Sequence, residues 1–225
     1  VSEGFQRFIT HESVEANASE YLDALREEET DPYDSHPSLP ERIAAVEDLP
    51  DGDPDDSPRA IDALNEASRT ERDLLEFLLG SEVAGLPPID WDAVGAEIYG
   101  ARARALTERF AIVVAGVTVG TLPTAIEHIG EHADKITDPD VEDRNALAAG
   151  VLGDAVLLAL ENAGWSLEAQ PAEPVSARRG DDTLAPHVSI HELRDGELSA
   201  ERWRERVEAL GVADLELGVA TPTRA

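Results

Sequence analysis

Apolar residues recur at helical spacing through most of the first 163 positions, and after Gly164 they begin to alternate with polar ones. Phe5, Phe8 and Ile9, followed by Tyr21, Leu22 and Leu25, predict a helix over residues 5–29 ending in the acidic cluster Glu27-Glu28-Glu29. The three prolines between Asp31 and Pro40 make a turn-rich connection. Pro40 then suits the first turn of a short helix carrying Ile43, Ala44 and Val46. Residues 48–58, dense in aspartate and proline, predict a solvated acidic loop. Ser57-Pro58 opens a helical stretch through Ile61, Leu64, Leu74, Leu75, Leu78 and Leu79, with Gly80 as its stop.

Leu86-Pro87-Pro88 reads as a stiff link, after which Asp90 is placed to cap a helix holding Trp91, Val94, Ile98 and Leu106. The longest apolar run, Phe110 to Leu122, contains two glycines and predicts a buried strand or core helix. It is too short to span a bilayer. Pro123–Ile136 predicts a further helix. Asp138-Pro139 is read as the start of a long one reaching about Ala163, apolar nearly all round from Ala146 to Leu160 and therefore central. Beyond Gly164, three segments alternate: Trp165–Ala169, Val175–Arg178 and His187–His191. Arg179-Gly180-Asp181-Asp182 supplies a hairpin-type turn. Ser199 caps a last helix through Trp203, Val207 and Leu210, closed by Gly211. The expected fold is mainly α: a multi-helix region over 1–163, then a small α+β unit over 164–225 with hairpin-type strands and a C-terminal helix.

Charge narrows the functional classes. The 225 residues hold 48 acidic and 18 basic side chains, a formal net charge of −30, and Lys135 is the only lysine. Such a field repels nucleic acid and anionic lipid, both of which need a basic footprint, so nucleic-acid binding and direct membrane insertion are not expected. The acidity is spread along the whole chain. That distribution fits salt adaptation, in which a lysine-poor acidic surface stays hydrated while salt screens its self-repulsion, better than an acidic docking tail. Cysteine is absent, which removes disulfides, thiolate ligands and thiol nucleophiles.

Few segments carry chemistry. His128-Ile129-Gly130-Glu131-His132 has two histidines at i and i+4, the spelling of the inverted zinc peptidases, so His128, Glu131 and His132 are candidate metal and base residues. An exposed acidic helix face explains the same spelling, and Gly130 weakens a helix that should hold ligands rigidly. His11-Glu12 begins like a zinc signature, but Glu15 stands where the second histidine belongs, so it reads as a surface helix face. No G-x-S-x-G is present, and Gly116-Val-Thr-Val-Gly120-Thr lacks the lysine and spacing of a phosphate loop. More constrained is Asp31-Pro-Tyr-Asp34-Ser-His36-Pro37-Ser-Leu-Pro40-Glu41-Arg42-Ile43. Asp34 can accept from backbone amides two residues on, and Pro37 fixes the exit direction. Glu41 brings acid to a helix start, and Arg42 can reach back to a carboxylate. The bottom-up reading of Asp34, His36, Pro37, Glu41 and Arg42 is a structural turn.

That segment resembles the S/T-H-P-x-x-x-E-R-I element of HtpX-like integral-membrane zinc metallopeptidases, the group that includes the CAAX prenyl endopeptidases. Gly4-Phe5-Gln6-Arg7-Phe8 is similar to the stretch leading into it. Ile89-Asp-Trp91-Asp-Ala-Val94, Gly164-Trp165, Pro174-Val175, Gly196-Glu-Leu198-Ser199 with Trp203, and Leu210-Gly211-Val212 resemble extensions C-terminal to such peptidases. In that family the H-E-x-x-H helix and the membrane spans lie upstream of this element, and these residues contain neither. The resemblance therefore assigns no catalytic or zinc role to any residue here. It implies a non-catalytic, soluble C-terminal domain of a membrane zinc metallopeptidase, at the cytosolic face of the membrane, regulating or supporting proteolysis by the upstream protease region of the same polypeptide. Zinc would belong to that parent, with no cofactor in this chain. Two other readings stay open: a free-standing metallohydrolase built on His128, Glu131 and His132, and a salt-adapted interaction domain unrelated to proteolysis.

Overall fold

The structure is a computed structural model that describes residues 2–14, 18, 38–47, 49, 66–80, 85–87 and 89–218. Contacts divide the chain into two compact units, Val1–Pro88 and Ile89–Ala225. Each is mainly helical where described, and the second also carries a small antiparallel sheet, so the expected fold class holds.

In the first unit three helices are described: α1 (Ser2–Ile9), α2 (Leu39–Glu47) and α3 (Ala67–Leu79). Helix α1 is supported by an Arg7–Glu3 ion pair one turn apart at 2.9 Å. It is interrupted after Ile9, where the Thr10 hydroxyl donates to the Gln6 carbonyl and the chain bends at His11; residues 12–14 and 18 are helical again, and the rest of the stretch expected to run to residue 29 lies outside the described residues. Helix α2 begins with half of a capping box: the Ser38 N–H donates to the Glu41 carboxylate at 3.0 Å, one turn ahead. Helix α3 starts after Glu66, which sits in the left-handed region (φ 58°), and stops at Gly80, whose N–H donates to the Glu76 carbonyl. The acidic loop 48–58 and the helix opening at Ser57-Pro58 lie outside the described residues, apart from Leu49.

The second unit begins with α4 (Trp91–Val94), which runs through a π-helical turn (Gly95–Gly100) into α5 (Ala101–Arg109). Asp90 occupies the expected N-cap position, yet its side chain makes no capping hydrogen bond. The π turn lies tight against a neighbouring strand. A Cβ at Gly95 would lie 2.1 Å from the Leu167 carbonyl oxygen and one at Gly100 would lie 3.2 Å from the Leu167 side chain, so the helix is pressed onto the neighbouring strand.

Phe110–Leu122 is neither one strand nor one helix. A short helix α6 (Ala111–Val114) is broken at Gly116 (φ 77°), and the chain then pairs with the C-terminal segment. Val119 N–H donates to Leu215, Gly120 N–H to Ala213, and Leu217 N–H to Val117, all at 2.8–2.9 Å. The expected helix over 123–136 is likewise two, α7 (Leu122–Glu127) and α8 (Ile129–Ala133).

The long helix α9 (Arg144–Asn162) starts later than Asp138, because the Asp143 carboxylate, not Asp138, accepts from Ala146 N–H at 2.8 Å and caps it. It is central as expected: Val151, Leu152, Ala155, Val156 and Leu160 are fully buried. By length and composition this helix could cross a membrane, but 61% of its apolar window is buried within the protein, as in a core helix.

Strands β1 (Ser166–Glu168), β2 (Ser176–Arg179) and β3 (Asp182–Leu184) form an antiparallel sheet in chain order. Arg179 pairs with Asp182 across a two-residue loop in which Gly180 has φ 63°, the glycine-first pattern of a type II′ hairpin. Arg178 donates to Glu168 on the neighbouring strand at 2.7 Å, which holds its guanidinium above the ordinary arginine value. The third alternating segment, His187–His191, is not a strand. It belongs to α10 (Pro186–Asp195), where Pro186 occupies the first turn and Pro186, Ser189 and Ile190 face inward at helical spacing.

Ser199 caps α11 (Ala200–Ala209) by accepting from Arg202 N–H. Its Trp203 is fully buried and donates from Nε1 to the Val119 carbonyl at 2.8 Å. One apolar cluster runs from Phe110 to Leu217 through α9, the sheet and α11. Residues on both sides of position 163/164 belong to this one cluster, and contacts divide the chain near residue 88.

Candidate functional site

The two histidines of the H-x-x-E-H spelling do not share an uninterrupted helix. His128 (φ −105°, ψ 32°) ends α7 and caps α8, so the i, i+4 geometry on which joint ligation depends is broken between them. Each ring is also turned onto a carbonyl: His128 Nδ1 lies 3.0 Å from Thr124 O, and His132 Nδ1 lies 2.6 Å from Val113 O. With the proton on Nδ1 in both, only the Nε2 positions remain for other partners. Both rings line a cleft of about 530 Å³ together with Glu131, Lys135, Thr121 and Thr124. The cleft thus collects two imidazoles, an ammonium, a carboxylate and two hydroxyls. Among the described residues no group of three or more His, Cys, Asp or Glu side chains is placed to hold a metal ion.

Of the turn that carries the family resemblance, Asp34, His36 and Pro37 lie outside the described residues. Glu41 and Arg42 are described, exposed, on the first turn of α2. Glu41 accepts from Ser38 N–H, and Arg42 N–H donates to the Ser38 carbonyl. Both contacts are those of a helix start, the structural role expected of Glu41. His11 sits at the bend after α1, immediately before helical residues 12–14, its Nδ1 2.7 Å from the Ser13 hydroxyl and accepting from the Ser13 N–H at 3.2 Å.

A pairing that the sequence did not single out lies elsewhere in the second unit. His187 Nε2, in the first turn of α10, is 3.0 Å from the Asp154 carboxylate on α9. Its ring packs flat over the helix at Gly153, where a Cβ would come within 2.5 Å of His187 Nδ1. The two residues are 33 positions apart, on elements one of which reads as a strand by alternation. The available signal was local: Pro186 marks a helix start, and Gly153 interrupts an otherwise apolar helix. The pair lines a second cleft of about 420 Å³ with Tyr99 and Arg102.

No protein-family model, curated protein or solved structure matches this chain.

Proposed function

We propose that residues 1–225 form a non-catalytic accessory region of an HtpX-like membrane zinc metallopeptidase, docking on and supporting its protease part. The observation that carries this reading is the surface of the first unit. Phe5, Phe8 and Ile9 on α1, and Leu74, Phe77, Leu78 and Leu79 on α3, stand exposed, with Phe77 84% accessible. Large apolar side chains left exposed on a helix suit a surface that another element covers. In sequence they lie on either side of the H-P to E-R-I turn, which in the resembling family follows the helix that supplies the glutamate ligand. The helix-capping role of Glu41 agrees with a turn that shapes the chain and does no chemistry itself.

The test compares the full encoded polypeptide, purified in detergent, with residues 1–225 alone. The complete protein is expected to carry one zinc per chain and to cleave unfolded substrate. Replacing Phe5, Phe8, Phe77 and Leu78 together with serine is expected to reduce that cleavage roughly ten-fold, while the isolated region binds no stoichiometric zinc. A reading frame without an upstream H-E-x-x-H helix and apolar spans of about 20 residues would sink the proposal. Tight zinc on the isolated region, lost when His128 and His132 are replaced, would favour the metallohydrolase instead.

A further inference from the structure

We infer that the cleft between α5, α9 and α10 binds a compact apolar group bearing a carboxylate, which Arg102 receives. The inference lies wholly in the second unit and stands apart from any peptidase parent. At about 420 Å³ the cleft falls in the size range of small-ligand pockets. Leu106, Leu147 and Leu157 give it an apolar lining, while Tyr99, Arg102 and the Asp154–His187 pair bring polar groups to the same space. Few polar groups converging on an apolar cavity is the ordinary composition of a binding site.

Three further observations point to a ligand. Gly150 lines the cleft in the middle of α9, and a Cβ added there would meet nothing within 4 Å. Glycine at such a position costs a helix about 1 kcal/mol relative to alanine. Gly153 is explained by the His187 ring above it; Gly150 has no such neighbour, and its effect is to keep the cleft open. Next, the π-helical turn places Tyr99 on the cleft wall, and single π turns within α-helices are frequent at functional sites.

Finally, charge assigns the polar end. On the same helix Arg104 is paired with Glu161 and Arg109 with Asp138. Arg102 has no ion-pair or hydrogen-bond partner among the described residues, in a chain with 48 acidic side chains to choose from. The Asp154 carboxylate, which lines the same cleft, is already engaged by His187 Nε2. What the cleft offers is one exposed guanidinium without a protein partner among the described residues, beside an apolar lining. Guanidinium pairs with carboxylate in a forked geometry that an amide cannot reproduce. The carboxylate can come from a free apolar acid or from the C-terminal residue of a peptide.

Isothermal titration of the full 225-residue chain, in molar potassium chloride to screen the overall field, distinguishes these sources. The probes are 3-phenylpropanoate and the tripeptide Ala-Ala-Leu, each also as its carboxamide. At least one carboxylate is expected to bind saturably at one per chain, with its amide about ten-fold weaker or worse. Arg102→Gln is expected to weaken binding by a similar factor without moving the unfolding midpoint, and Gly150→Leu to abolish it by filling the cavity. Arg102→Gln keeps the test readable if Gly150→Leu fails to fold. Binding of the peptide alone assigns a chain end, and of the phenyl acid alone a free metabolite-like acid. Absence of saturable binding by both carboxylates, equal affinity for the amides, or indifference to Arg102→Gln overturns the inference.

Discussion

Helices α3 and α9 are both leucine-rich, and they end in opposite environments. In α9, Leu152, Leu157 and Leu160 are buried on a helix whose small residues, Ala148, Ala149, Gly153 and Ala155, let α5, α10 and the sheet approach closely. In α3, Leu74, Phe77, Leu78 and Leu79 share their helix with Arg69, Arg72, Asp73 and Glu76 and stay exposed. A helix apolar nearly all round, with small side chains among its leucines, is enclosed by neighbours on several faces. Where charges surround an apolar stripe, it remains available to another surface.

That contrast can be broken most forcefully at Trp203. Trp203→Ala removes the largest fully buried side chain and its bond to Val119, and should cost about 3–5 kcal/mol, read as a lower denaturant midpoint with an unchanged slope. A loss below about 1 kcal/mol would mean the second unit does not depend on this core. A smaller effect is expected at Gly95→Ala, because the added methyl meets the backbone carbonyl of Leu167 and not a movable side chain. About 1–3 kcal/mol should be lost, and circular dichroism should report whether the π turn relaxes. The smallest change is expected at Phe77→Ser on α3: within about 0.5 kcal/mol in stability, but with reduced binding of a dye that reports exposed apolar surface. A loss beyond about 2 kcal/mol there would show that Phe77 packs into an apolar core of the first unit.

Signals confined to a few residues were legible in the sequence. Gly80, Ser199 and Gly211 end or start helices where expected, and Gly180 makes the hairpin, because caps and tight turns depend on local backbone geometry. Misreadings arose where tertiary contacts decided. His187–His191 alternates like a strand, yet Pro186 and the burial of Ser189 and Ile190 make it a helix. Phe110–Leu122 reads as one apolar element but is split, because half of it pairs with residues near 215. The candidate site followed the same division. The spacing of His128 and His132 was visible; the helix break between them and the carbonyls that hold their rings were not. The Asp154–His187 contact depends on two helices meeting, which no short pattern encodes.

The pairing of Val117–Gly120 with Ala213–Leu217 also sets a schedule for biosynthesis. A ribosome releases the chain from its N-terminus at about 5–20 residues per second. Val119 emerges nearly a hundred residues before its backbone partner Leu215, which arrives roughly 5–20 s later. During that interval α9 is already made while the indole of Trp203 and the closing tail are not. The second unit is thus locked by its last-made stretch, and a nascent chain stalled before residue 203 would present an open apolar slot to the cell's holding chaperones.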